Sequence, residues 1–203
     1  SIGSDDDHGR SQAAPGDCMK FGYADPPYLG CGKLYVKHHP DAKIWDDPST
    51  HRKLIESLSE DFPDGWAYSL TSTTLHTLLP FCPPDVRVMA WVKPFAMYRN
   101  GTNPSYSWEP VIVRGGRPLP NFPKVRDFID CPIALKKGLT GAKPDGFWFW
   151  LFGVLGIQHG DELVDLFPGT NRCETLLRRH LRQTQLFTND NTSEQIMLDG
   201  GGS

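Results

Sequence analysis

Apolar and polar positions along this chain fall into short blocks whose period keeps changing. KFGYA at 20–24 is a short run that stops at two prolines, and it predicts a strand. In DDPSTHRKLIESLSEDF (46–62), Leu54, Ile55 and Leu58 form one stripe behind Pro48, with Ser49 or Thr50 placed to cap, and this predicts a helix. GWAYSLTS (65–72) predicts a strand, and TTLHTLLPF (73–81) a short helix ended by Pro80 and the Cys82-Pro83-Pro84 break. VRVMAWV (86–92) reads as a strand of buried type and EPVIVRGG (109–116) as another. With Pro118, Pro120, Pro123 and Pro132, residues 117–142 read as a loop-rich insert. A helix is expected from Lys143-Pro144 to about Ile157, stopped by Gly160. ELVDLF follows as a strand, PGTN as a tight turn, and RCETLLRRHLRQ as an amphipathic helix with Leu176, Leu177 and Leu181 on one side.

Strands alternating with helices predict an α/β sandwich. In such sheets ligands bind outside the carboxyl ends of the strands. DPPY (25–28) and DLFPGTN (165–171) both follow predicted strands, so both loops belong on one rim.

Composition changes this picture little. The 203 residues fit one domain, expected over 18–190, with 1–17 read as a leader or tag and 191–203 as a tail or linker. No apolar run approaches the ~20 residues of a membrane span. Five cysteines at 18, 31, 82, 131 and 173 include no CxxC pair, which favours a reducing, cytoplasmic setting and argues against zinc. His38-His39 lacks a second ligand pair, so no metal is expected.

Net charge is −3, which does not suggest strong non-specific attraction to nucleic acid. The basic residues are nonetheless uneven. Arg114, Arg117, Lys124, Arg126, Lys136, Lys137 and Lys143 face two acids, Asp127 and Asp130, over 114–143. This is either a solvated loop or a phosphate-contacting one.

The DPPY loop has a chemistry of its own. Proline fixes φ and pushes the residue before it out of the α region, so Asp25 leaves the strand in a stiff, extended loop. A carboxylate and a proline carbonyl can accept the two hydrogens of a planar exocyclic amine, which draws its lone pair out of conjugation. The tyrosine offers a face for a base, and such stacking is worth ~1–3 kcal/mol. The plainer reading is a rigid Pro-Pro turn with a capping Asp. DLFPGTN, a strand, turn and helix start, is common in α/β folds. It lacks the full GxGxxG and GK[ST] sets, which disfavours phosphate, and its acid suits a cationic ligand.

Together the motifs resemble the amino-methyltransferases that use S-adenosylmethionine and methylate N6 of adenine. DPPY resembles their [D/N/S]PP[Y/F/W] catalytic motif, DLFPGTN their cofactor turn, and Lys143-Pro144 the pair that opens the helix before the cofactor strand. The order resembles the circularly permuted, beta-type class, and is similar to the adenine methyltransferases of messenger RNA. The compact length is most like the methylases of bacteria and their phages. The resemblance spans roughly residues 20–182.

The resemblance implies a Rossmann-like methyltransferase fold, mostly parallel with helices on both faces and short of one or two strands. It implies S-adenosylmethionine as cofactor and DNA as partner. In it, Asp25, Pro26, Pro27 and Tyr28 are catalytic, with Asp25 and Pro26 on the amine and Tyr28 on the flipped base. Lys143 meets the cofactor carboxylate, and Asp165, Phe167, Gly169, Thr170, Asn171 and Arg172 shape the cofactor pocket. Asn171 stands where a small glycine is common, and with Arg172 is a candidate for the ribose. The usual second acid is missing, Asp190 being a weak candidate. Trp148 and Trp150, at i and i+2, cannot share one pocket, so at least one belongs to the core.

If 117–141 is the recognition insert, it is small. Short or relaxed specificity, or dependence on a partner subunit or second copy, is expected, with Arg114, Arg117, Lys124, Arg126, Lys136 and Lys137 on phosphates. Cytosine N4, RNA adenine, or a non-catalytic binding module are the alternatives.

Overall fold

Six strands form one sheet in the order β5-β3-β4-β2-β1-β6, the computed structural model describing residues 18–36, 40–97, 101, 103–118, 124–134, 142–169 and 171–184. The strands are β1 (Lys20–Ala24), β2 (Gly65–Ser69), β3 (Arg87–Met97), β4 (Tyr106–Gly115), β5 (Phe128–Asp130) and β6 (Glu162–Asp165). The helices are α1 (Pro48–Asp61), α2 (Leu75–Leu78), α3 (Asp145–Leu155) and α4 (172–184). This is the expected Rossmann-like α/β arrangement. The β1–β2, β1–β6 and β3–β5 ladders are parallel. β4 runs antiparallel to both β2 and β3. Among the described residues, β6 is the outermost strand on the β1 side.

Strand alternation divides the core in two. Phe21 and Tyr23 of β1, Ala67 of β2, and Val111 and Val113 of β4 pack with α3 on one face. Ala24, Trp66, Tyr68 and Ile112 lie on the other, with Ile55 and Leu58 of α1 and Leu78 of α2. Helices therefore cover both faces. Phe147, Leu151 and Phe152 of α3 have no exposed surface, each burial being worth roughly 1.5–3 kcal/mol. Trp148 and Trp150 both belong to this same buried cluster, so both are packed in the core. Trp150 donates its indole N–H to the Arg126 carbonyl at 2.9 Å, pinning the insert to α3.

Several expected boundaries move, each for a local reason. Asp47 caps α1 instead of Ser49 or Thr50, its carboxylate accepting from Ser49 N at 2.9 Å. α3 ends at Gly156, not Gly160, because Gly156 takes the left-handed conformation (φ 68°). β3 is half-buried, not fully buried: Met89 and Trp91 point inward while Val88 is exposed. Gly22 has a packing reason to be glycine, since a Cβ there would lie 2.5 Å from the Phe62 ring.

No described helix is long and apolar enough to cross a membrane.

Candidate active site

The face of the sheet that carries α3 ends in polar groups at the carboxyl rim. Along β1 the row Phe21, Tyr23 continues to Asp25. Along β2 the residue after Ala67 on this face is Ser69. Along β4, which runs the other way, Val113 and Val111 lead back to Glu109. Tyr23 and Ser69 share a hydroxyl hydrogen bond of 2.8 Å beneath the rim. Period-two alternation thus places two acids at the mouth of an apolar face.

Lys143, in the coil just before α3, sits between those acids with only 4% of its side chain exposed. Its ammonium donates to Asp25 Oδ2 at 2.6 Å and to the Tyr28 hydroxyl at 3.2 Å. It lies 3.9 Å from Glu109 Oε2. The rings of Tyr28, Trp91 and Phe147 surround it at 5.6, 5.6 and 5.8 Å. Tyr28 donates its own proton to Glu109 Oε2 at 2.7 Å, and Lys93 forms an ion pair with Glu109 Oε1. The DPPY loop is closed by a turn in which Cys31 N donates to Tyr28 O at 2.7 Å, with Gly30 at φ 80° in the third position.

The electrostatics follow from burial set against these partners. Burial pushes the Asp25 carboxyl above the ordinary range, and Lys143 only partly opposes it. Burial also pushes Glu109 upward, but Lys143 and Lys93 together outweigh it and hold Glu109 below the ordinary range. Burial, then the Asp25 and Glu109 charges, raise the Tyr28 phenol well above its usual value, so it stays a donor.

The second loop lies alongside. β6 pairs with β1 in register Asp165↔Tyr23, and Leu166 N donates to Tyr23 O at 2.9 Å. Both loops therefore leave the same rim from adjacent strands. Asp165 Oδ1 accepts from Phe167 N at 3.1 Å. Burial, with repulsion from Asp25, raises its carboxyl to about 6 against the opposing Phe167 hydrogen bond and Lys143. Gly169 (φ 42°) and Asn171 (φ 53°) turn the chain into α4, with Asn171 N donating to Pro168 O at 2.7 Å.

Arg172 joins the two helices that start beside these loops. It forms a forked ion pair with Asp145 in the first turn of α3, its Nε 2.8 Å from Asp145 Oδ1. Its guanidinium thus ties the starts of α3 and α4 together.

A residue that sequence reading missed covers this loop. Trp45, from a 3₁₀ segment (Pro40–Asp46), packs edge-on against Phe167 with ring centroids 5.3 Å apart. Its carbonyl accepts from His51 Nε2 at 2.7 Å, which leaves neutral His51 Nδ1 to accept from the Tyr68 hydroxyl.

The basic candidates divide. Arg114 lies opposite Trp66 near the start of β2, at the edge of the sheet away from the DPPY rim, and pairs with Asp85 at 2.9 Å. Arg117 is buried against Asp161 at 2.6 Å. Both guanidiniums form ion pairs at the edge of the sheet opposite the DPPY loop. Lys124 and Arg126 are exposed, Arg126 resting 5.7 Å over the Phe128 ring. Lys136, Lys137, Thr170, Asp190 and the His38-His39 pair lie outside the described residues. Among the described residues no group of three His, Cys, Asp or Glu side chains could hold a metal ion.

No family model matches the chain, and no curated protein matches it. Among solved structures, the crystal structure of the M1.HpyAVI–SAM complex is similar, with 14% identity, 80% of this chain and 78% of that chain covered, and a TM-score of 0.43.

Proposed function

We propose that this chain transfers a methyl group from S-adenosylmethionine to the exocyclic N6 amine of adenine in DNA. The observation that supports this most is the pairing of β1 with β6, from whose adjacent carboxyl ends the Asp25-Pro26-Pro27-Tyr28 loop and the loop that begins at Asp165 both leave. An amine-binding acid and a turn suited to a cationic cofactor then share one space.

The residues present fit that cofactor. Asp165, with a carboxyl near 6, is mostly anionic at neutral pH and suits its positive groups. Lys143 retains a third N–H for its carboxylate. Phe167, backed by Trp45, offers an apolar wall. When bound, the cofactor supplies an activated sulfonium methyl.

The chain's own residues do the rest. Asp25 and the Pro26 carbonyl accept the two amine hydrogens and align the nitrogen lone pair. Lys143 orients Asp25 and opposes its protonation, and the anionic carboxylate stabilises positive charge developing on the nitrogen. Tyr28 stacks on the base once it has left its helix, a step that costs a few kcal/mol in duplex DNA. Asp25 takes up the surplus proton late. Lys124, Arg126, Lys136 and Lys137 are the proposed phosphate contacts, with a specificity subunit or second copy as a further partner and the cytoplasm as the setting.

The test is mass spectrometry of nucleosides digested from mixed DNA and RNA after incubation with methyl-labelled cofactor. Labelled N6-methyldeoxyadenosine is expected from the wild type and is absent with Asp25→Ala. Label on deoxycytidine or on adenosine would replace the substrate, and near-normal activity of Asp25→Ala would end the proposal.

A further inference from the structure

Glu109 is the buried charge at the rim that the chemistry above leaves without a task. It stands on β4, directly opposite Trp91 of β3, 81 residues away from the tyrosine it touches. Its side chain is 19% exposed, and it is bound on three sides: by the Tyr28 phenol, by Lys93 and by Lys143. A carboxylate brought out of water needs such partners merely to be tolerated. What makes this one more than a tolerated charge is the choice of partners. One is the ring that offers the stacking face, and another is the ammonium that holds Asp25.

Resting on the methyl-transfer reading above, we propose that Glu109 is a positioning residue for the target base, fixing the Tyr28 ring by accepting its phenol proton and dividing the Lys143 charge between itself and Asp25. A phenol turns easily about its Cβ–Cγ axis and swings about Cα–Cβ. A single strong acceptor at the far end of the ring removes the swing, so the stacking face is set before the base arrives. Lys93 holds the acceptor in turn, from the neighbouring strand. The carboxylate also limits how fully Lys143 neutralises Asp25. The groups that act on the Asp25 carboxyl are Lys143, Glu109 and Tyr28, and its charge in turn reaches Tyr23, Tyr35, Tyr68 and Asp165.

The experiment is a double-mutant cycle on Tyr28→Phe and Glu109→Ala, read as KM and kcat for methyl transfer to an adenine-containing single-stranded oligonucleotide, beside urea unfolding of each variant. Each single change is expected to raise KM about tenfold, the size of one hydrogen bond to a charged acceptor. The double variant is expected to be no worse than either single one, because both act through one bond. Glu109→Gln, whose amide oxygen still accepts, is expected to bring KM back to within about threefold of wild type, the loss of a full charge being the remaining difference. It also leaves the Lys143 charge to Asp25, so the acid limb of its kcat profile moves to lower pH.

Additive KM effects, or a Glu109→Ala enzyme with wild-type KM and only lowered stability, would overturn the proposal. If Glu109→Ala does not fold, the Glu109→Gln profile decides, an unmoved limb overturning it. A wild type that labels no adenine at all removes the reading beneath it, a result distinct from any change confined to the variants.

Discussion

The ammonium of Lys143 lies 2.6 Å from Oδ2 of Asp25, joining the entry of α3 to the end of β1 across 118 residues of sequence. The acid is buried enough for its carboxyl to stand above the ordinary range despite that partner. Asp25 therefore depends on Lys143 for its charge.

Replacing Lys143 by Met removes the group that pulls the Asp25 carboxyl down. It then rises further and stays protonated to higher pH. The rate is expected to fall about tenfold or more near neutrality, one pKa unit being a factor of ten, and to recover partly in alkali. Single-turnover rates across pH check this. A limb that does not move toward higher pH would refute it.

Asp165 works against stability. Its carboxyl stands near 6 in the folded chain, against 3.8 as its ordinary value. Between those values the folded state holds a proton that the unfolded chain has released. Its contribution to stability therefore falls as pH rises through that window and stays lost above it. Asp165→Asn keeps an acceptor for Phe167 N and removes the titration. The variant is expected to gain in melting temperature over wild type on going from about pH 4 to about pH 7.5, and to bind S-adenosylhomocysteine more weakly. A constant difference across pH would refute the assignment.

Arg117 is a structural cation. Its guanidinium meets Asp161, whose carboxylate also accepts from Met19 N and Gln158 N, both at 2.8 Å. Arg117→Ala leaves that buried charge short of its cation and is expected to cost about 3–5 kcal/mol in urea unfolding. The salt dependence of DNA binding is expected to stay as in wild type, whereas loss of a phosphate contact would flatten it by roughly one unit on a log–log plot.

Gly22→Ala tests the packing of α1's end on β1. The added methyl meets an aromatic ring at 2.5 Å, so Phe62 must move. A loss of roughly 1–3 kcal/mol is expected, and Phe62→Leu in the same chain should restore part of it.

What could be read from sequence was local. DPPY, Lys143-Pro144 and DLFPG each announce a strand end or helix start within a few residues. Glu109 and Lys93 were invisible for the opposite reason. Their meaning depends on β4 being antiparallel and in register with β3, and neither fact is written near them. Because β4 enters at the rim, its functional residue comes ahead of the apolar run, in YSWEPVIV, where a search at strand carboxyl ends does not look. Arg114 and Arg117 read as part of one basic run along the chain, while Asp85 and Asp161, their ion-pair partners, lie far off in sequence. Trp45 was hidden in a polar stretch with no period.

The pairing of β1 with β6 has a consequence for how the molecule comes into being. As the chain leaves the ribosome, β1 can find β2 early, but its other edge waits until residue 165 has emerged, some 140 residues later. Until then β1 presents unpaired backbone to its surroundings, a template for other nascent strands. Chaperone capture should therefore be strongest on ribosome-bound fragments that stop short of β6, and should fall once that strand is free to dock.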